Sequence, residues 1–466
     1  MRGERKLLIF IALITLLLTG CIKKDSRTVI QFATWGSQSE VAILKPILAE
    51  FERENPDVKV DLIHIPQNYF QKIHLLFASN LAPDVIFINN LYLPVYANAG
   101  VLQELKSRTV EKPISLTVSK KNHSTFRPFN HSIFYNKALD ALSYDGKLYA
   151  IPRDVSNLVI YYNKDLFDKY KVPYPKANWT FKDFLAVAQR LTKDTNNDGK
   201  RDIWGVSFEE DPPLFYLPYL MSEGGGVLSD DLKTLIIDTP QSQKGLRFYA
   251  DLRNKYHVAP TKAESASATM AQLFLQGKLA MQVSGRWLVP KYREDAKFNW
   301  DVINFPRGDK GSVVPLDASG WAISKSSKHK EEAAKLVEFL ASKKSIEKFT
   351  RSGLIVPARV DVAEGEFLDR DSAIKNCSSY LTPHPYLTSQ PKDTQSLDFG
   401  RVPQGGRKNP YNVRFCRPKS ERVFIDVIKT SKPTPVSVDY SEIQDELQEK
   451  TNYLFNLNTN ACHVLN

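Results

Sequence analysis

At 466 residues the chain is long enough for two or three domains, each with its own core. A hydrophobic share of 42% and a charged share of 25% exclude a disordered or fibrous protein and fit a soluble globular one. The formal charge of +11 is spread along the chain with no dense basic cluster, so no nucleic-acid partner is expected.

The N-terminus reads as a targeting segment. Arg2, Arg5 and Lys6 precede an apolar run, residues 7–18, interrupted only by Thr15. That run is short for a bilayer span and suits a signal peptide. It ends in Leu18-Thr19-Gly20-Cys21, which resembles a bacterial lipobox. Residues 1–20 are therefore expected to be cleaved, Cys21 to be lipidated, and residues 21–27 to form a tether. The mature chain loses Arg2, Glu4, Arg5 and Lys6 and keeps +9. It is expected to work outside the cytoplasm, lipid-anchored to a bacterial membrane. The other cysteines, Cys377, Cys416 and Cys462, match no metal knuckle. In an oxidising compartment two of them can pair, and Cys377 with Cys416 would staple a Pro/Gly-rich region.

Residues 29–36 read as a buried strand breaking at Gly36. A helical spacing follows over 40–54, with Pro46 predicting a regular helix only from about residue 45. Val58, Val60 and Leu62 alternate with Lys59 and Asp61 as in a half-buried strand. A helix over 69–78 and a strand over 84–88 complete a β-α-β-α-β alternation, the pattern of a parallel sheet. Ligands of such sheets sit beyond the carboxyl ends of the strands, here at Trp35-Gly36-Ser37 and Asn89-Asn90. Residues 106–145 have little period and read as irregular helix and loop. Two apolar runs, 146–152 and 158–165, are joined by the polar Arg153-Asp154-Val155-Ser156-Asn157, suited to a crossing between lobes.

Thr180 can cap an amphipathic helix ending near Thr192. Asp194, Asn196, Asp198 and Asp202 occupy positions 1, 3, 5 and 9 of a calcium-type loop with Gly199 at position 6. Position 12 is Gly205, however, and Lys200 and Arg201 add positive charge, which favours a polar turn closed by Asx hydrogen bonds over a metal site. Gly224-Gly225-Gly226 lacks the rest of a phosphate-binding fingerprint. Residues 204–208 read as a strand, 241–255 and 267–276 as helices. Then Gly277 ends a helix, 279–284 form a short strand, and Gly285 presents Arg286 and Trp287. A planar ring beside a five-donor cation suits a polar ligand with an apolar face. Residues 300–306 read as a strand entering another crossing, 318–324 as a glycine-broken apolar run, 330–340 and 440–455 as helices.

The chain resembles the family 1 extracellular solute-binding proteins of ABC importers over residues 28–360. The resemblance rests on Thr34-Trp35-Gly36, Pro83-Asp84-Val85, Gly146-Lys147-Leu148-Tyr149-Ala150-Ile151-Pro152, Tyr162-Asn163-Lys164-Asp165-Leu166-Phe167, the stretch from Phe274 to Trp287, and Gly320-Trp321-Ala322-Ile323 before the helix of Ala333 and Ala334. It implies an α/β, two-lobe periplasmic-binding-protein-like fold (type II) with a hinge between the lobes. Lobe one would be 28–152 plus 307–343 and lobe two 158–303 plus 346–466, with crossings near 153–157, 303–307 and 343–345. It also implies ligand contacts at Trp35, Gly36, Ser37, Asn89, Asn90, Asp154, Ser156, Asn157, Arg286, Trp287, Ser319, Gly320 and Trp321. Arg286 stands where family members often carry Pro, and its charge would favour an anionic or phosphorylated ligand.

The expected role is capture of a sugar, polyol or phosphorylated derivative by a monomer, with no cofactor and no catalysis. ABC permease subunits and the membrane, through the lipid anchor, are the expected partners. Two alternatives stay open: a secreted glycan hydrolase using carboxylates such as Asp84 and Asp154, and a binder that signals to a sensor. No Gly-x-Ser-x-Gly or His-Glu-x-x-His motif is present.

Overall fold

A computed structural model describes residues 26–105, 131–210, 213–229, 231–368, 418–438 and 440–456. Cys21, Cys377, Cys416 and Cys462, and the lipidation and pairing expected of them, lie outside the described residues.

Strand β1 (Thr28–Thr34) buries Ile30, Phe32 and Ala33 and pairs in parallel with β2 (Val58–His64) and β3 (Val85–Asn89). The helix Gln38–Glu54 between β1 and β2 starts at a capping box, in which Ser37 and Glu40 satisfy each other's backbone amides. It runs unbroken past Pro46, where the sequence predicted a start near residue 45. The cap and the buried face of Val41, Leu44, Ile47, Leu48 and Phe51 outweigh the one backbone hydrogen bond that proline removes. The helix Tyr69–Ala78 joins β2 to β3.

After a two-strand hairpin, β4 (Ser143–Tyr144) and β5 (Lys147–Leu148), strand β6 (Ala150–Asn157) joins the same sheet as β3 through β11 (Pro315–Ile323). The order is β12-β6-β11-β3-β1-β2, where β12 is Val356–Pro357, and β13 (Lys432–Pro433) pairs with the start of β11. The run 318–324 is thus a central strand. Gly320 is required there because a Cβ would lie 2.1 Å from the Ile151 carbonyl. The second sheet has the order β10-β7-β9-β8, from β7 (Val159–Asn163), β8 (Trp204–Val206), β9 (Leu279–Ser284) and β10 (Trp300–Ile303).

Two expected crossings are corrected. Residues 153–157 belong to β6 and pair with β11, so the passage between sheets narrows to Leu158, itself fully buried. Polar side chains suggested a linker, but they sit on a strand reaching the rim of its sheet. Residues 343–345 do not cross either. They open the helix Lys343–Arg351, capped by Ser342, whose Lys344 and Lys348 both bond Glu50 of the first helix. Because β12 then pairs with β6, residues 346–357 stay with the larger sheet rather than joining lobe two. The chain returns to the smaller body later: the helix Tyr440–Asn456 packs on the helix Pro240–Asn254, where Asn254 Nδ2 donates to the Leu454 carbonyl at 3.0 Å and Arg253 to that of Phe455.

Candidate ligand-binding cleft

Strand direction brings the predicted site together. β6 runs through Leu158 straight into β7, so the carboxyl end of β6 and the start of β7 lie at the junction of the two sheets. β3 and β6 are both antiparallel to β11, and β1 is parallel to β3, so all three end at that junction. On the other side β9 is antiparallel to β7, with Ser284 opposite Val159, and β8 is parallel to β9. The carboxyl ends of β8 and β9 therefore also reach the junction. Trp35, Asn89, Asn157 and Trp287 all follow or close these ends.

In the smaller body, Gly277 adopts a positive φ of 72° and caps the helix Met270–Leu275, as its sequence predicts. The Tyr161 hydroxyl, fully buried, donates to the Gly285 carbonyl at 2.7 Å and holds the end of β9. Trp287 lays its ring across Gly285, where a Cβ would come within 1.9 Å of it. One face of the indole is thereby seated on backbone while the side chain stays 36% exposed. Arg286 points the other way. It is buried, its Nη2 donates to both Glu421 carboxylate oxygens at 3.2 and 3.3 Å, and its guanidinium lies 4.4 Å over Phe367 and 5.2 Å over Phe424. The charge expected to face a ligand is paired inside the protein.

In the larger body, Trp35 is half-buried among Tyr69 (5.0 Å), Phe70 (5.3 Å) and Phe87 (4.3 Å), and Phe70 stacks on Tyr92 at 3.7 Å. Asn89, Ser319 and Asp154 are cross-strand neighbours, with Ser156 opposite Asp317 one step on. Asn89, Ser156, Ser319 and Asp317 are half-buried. Burial pushes the Asp154 carboxyl up, against the pull of Arg153, which donates to it at 2.7 and 3.0 Å. Burial likewise raises Asp317, opposed by the Thr434 hydroxyl at 2.6 Å and Asn90 Nδ2 at 3.2 Å.

Other expected contacts make bonds or packing within the fold. Trp321 is a core side chain, 1% exposed, and Gly320 faces Ile151. Buried Asn90 accepts from the Ala318 amide at 3.0 Å and donates to Asp317. Asn157 Nδ2 donates to the Phe424 carbonyl at 2.8 Å. Ser37 caps its helix, and the Gly36 carbonyl lies 2.9 Å from His64 Nε2. The hydrolase reading finds no carboxylate pair in Asp84 and Asp154. Asp84 accepts from the Gln31 amide and the Ser327 hydroxyl at the start of β3. Asp154 aligns through Ser319 with Asn89 at the far end, five residues or about 16 Å along the strand. Glycosidase pairs stand about 5–9.5 Å apart.

The loop of Asp194, Asn196, Asp198 and Asp202 is closed by its own amides. Asp194 accepts from Asn197 (2.7 Å) and Gly199 (2.8 Å), Asn196 from Asp198 (3.0 Å), Asp198 from Lys200 (2.8 Å), and Asp202 from Thr195 (2.6 Å). Among the described residues no group of three or more His, Cys, Asp or Glu side chains is placed to hold a metal.

Sequence reasoning missed Phe70, Tyr92, Glu209 and Glu421. Phe70 falls in the helix read over 69–78 and Tyr92 in a stretch assigned to no element, and neither was singled out. Glu209 lies three residues beyond the end of β8, on the side of the junction, and burial pushes its carboxyl up to about 7. An acidic pair, Glu209-Glu210, straight after a buried strand was the signal available. Glu421 lies between the helices read over 330–340 and 440–455, in a stretch assigned to no element.

Two α/β bodies meet at a narrow junction, with aromatic and short-chain polar side chains at the strand ends on either side of it, an arrangement suited to holding a polar solute. The model for the bacterial extracellular solute-binding protein family matches residues 35–347, and the chain belongs to that family. It is 23% identical over 412 residues to a galactooligosaccharide-binding protein of Bacillus subtilis, covering 83% of this chain and 89% of that protein. It is 27% identical over 364 residues to a maltodextrin-binding protein of the same organism, covering 74% and 78%. The structure is similar to that of an ABC substrate-binding protein of Listeria monocytogenes in complex with cycloalternan, with 27% identity, a TM-score of 0.70, and 93% and 95% of the two chains covered.

Proposed function

We propose that this chain captures a neutral oligosaccharide between its lobes and delivers it to an ABC permease, tethered to the membrane through Cys21. The observation that carries the reading is the Trp287 ring, seated on Gly285 after the end of β9 and 36% exposed. Such a ring covers the C–H face of a sugar. Trp35, Phe70 and Tyr92 supply apolar surface on the larger body, while Asn89, Ser156, Ser319 and Glu209 offer donors and acceptors for hydroxyls. A neutral ligand is favoured over a phosphorylated one because Arg286 is committed to Glu421. The oligosaccharide class is supported by the galactooligosaccharide, maltodextrin and cycloalternan of the three relatives. A ligand touching both rims stabilises the closed arrangement, since only that arrangement completes its contacts. The permease as partner is supported by family membership, and the anchor by the Leu18-Thr19-Gly20-Cys21 motif.

Calorimetric titration with maltodextrins, galactooligosaccharides and cycloalternan tests the reading. Trp287→Ala should weaken the best ligand at least about tenfold, or ~1.4 kcal/mol. Unchanged affinity would remove Trp287 from the site.

A further inference from the structure

The Trp287 turn is held by a segment far along the chain. Glu421 is 1% exposed and faces two cations, Arg286 and Arg293. Next to it, Ser420 donates through its amide and hydroxyl to Asp301 at the start of β10 (3.0 and 3.2 Å). The same segment is also fastened to the larger body. The Lys137 ammonium donates to the carbonyls of Ile428, Lys429 and Ser431 at 2.6–2.9 Å, β13 pairs with β11, and the Thr434 hydroxyl bonds Asp317. Between the two attachments the Phe424 carbonyl receives Asn157, the last residue before the passage between lobes. Residues 418–434 thus form a strap fixed to both bodies and to the hinge.

We propose that Glu421 is a positioning residue for the binding site: through Arg286 it fixes the Gly285–Trp287 turn, and so sets where the Trp287 ring stands relative to the larger lobe. Two features argue against a purely stabilising ion cluster. Two arginines share one carboxylate, and Arg286 Nε and Nη1 find no acceptor. Buried ion pairs as incompletely satisfied as this contribute weakly to stability and are better suited to fixing one geometry. Moreover, Arg286 opens the 3-10 turn Arg286–Leu288 that contains Trp287, so the anchored guanidinium and the ring share one short backbone turn. The inference rests on Trp287 being the ligand's platform.

The test is a double-mutant cycle on the purified chain with Glu421→Gln and Trp287→Ala, read as oligosaccharide affinity. Glu421→Gln should weaken binding by about tenfold in the parent and leave the Trp287→Ala background nearly unchanged. Independent, multiplying effects would overturn the proposal. A second readout needs no ligand: acrylamide quenching of the emission lost in Trp287→Phe reports the exposure of that one ring. It should change in Glu421→Gln, and in Glu421→Asp, which keeps the charge and shortens the side chain should the amide variant fail to fold. Unchanged quenching in a folded variant overturns the proposal. Absence of sugar binding by the parent chain would instead overturn the oligosaccharide reading, and the quenching arm would still decide the role of Glu421.

Discussion

Asn90 and Trp287 show how the same kind of sequence cue leads to different roles. Both follow strands that end at the lobe junction. Asn90 is buried with its carbonyl on the Ala318 amide and its amide on Asp317, so it ties β3 to β11. Asn90→Ala removes the acceptor of the Ala318 amide and one of two donors to Asp317, and should cost about 1–3 kcal/mol in urea unfolding, with oligosaccharide affinity changed less than about threefold. Loss of affinity without loss of stability would make it a ligand contact instead. Trp287 carries the opposite expectation, because its ring lies on Gly285 rather than inside the core. From sequence, each was a polar or aromatic residue after a strand. What separated them was a cross-strand partner more than 200 residues away in one case and a missing Cβ beneath the ring, at Gly285, in the other.

At the scale of elements, regular periodicity was readable and long-range pairing was not. The first βαβαβ unit, the Thr180 cap and the Gly277 turn stand where local pattern placed them, because each is decided within a few residues. The helix Gln38–Glu54 and the strand β6 departed from expectation for a shared reason. Pro46 and the polar run 153–157 are locally unfavourable but are compensated by a capping box and by pairing with β11 and β12. Glu50 belongs to this scale as well. Lys344 and Lys348 bond it from the helix Lys343–Arg351 and hold its carboxyl at about 2, well below the ordinary 4.5. A carboxyl lowered on folding stabilises above its ordinary value and loses that contribution as pH falls toward the folded one. Glu50→Gln should therefore lower the melting temperature at pH 7, with a difference from the parent that shrinks below pH 4.5 and is nearly gone by pH 2. A difference that stays constant with pH would show that the two lysines are not what Glu50 contributes.

At the scale of the whole molecule, the chain passes between its two sheets at Leu158 and again between β10 and β11, and the strap 418–434 is fastened to both bodies. The two bodies are thus joined at a narrow junction, with the carboxyl ends of β1, β3, β6 and β9 directed toward it. The family resemblance located the junction from scattered short motifs, yet it misplaced the last crossing. Residues 343–345 were expected to cross and 346 onward to join lobe two, whereas the bonds of Lys344 and Lys348 to Glu50 and the β12–β6 pairing assign 343–357 to the larger lobe. The measurement that bears most directly on capture between lobes is small-angle X-ray scattering of the purified chain, titrated with the tightest-binding oligosaccharide from the calorimetric panel. The radius of gyration should fall and saturate at one ligand per chain, and Trp287→Ala should shift that fall to higher ligand concentration. Saturating ligand with no change in the radius of gyration would contradict capture by closure of the two lobes.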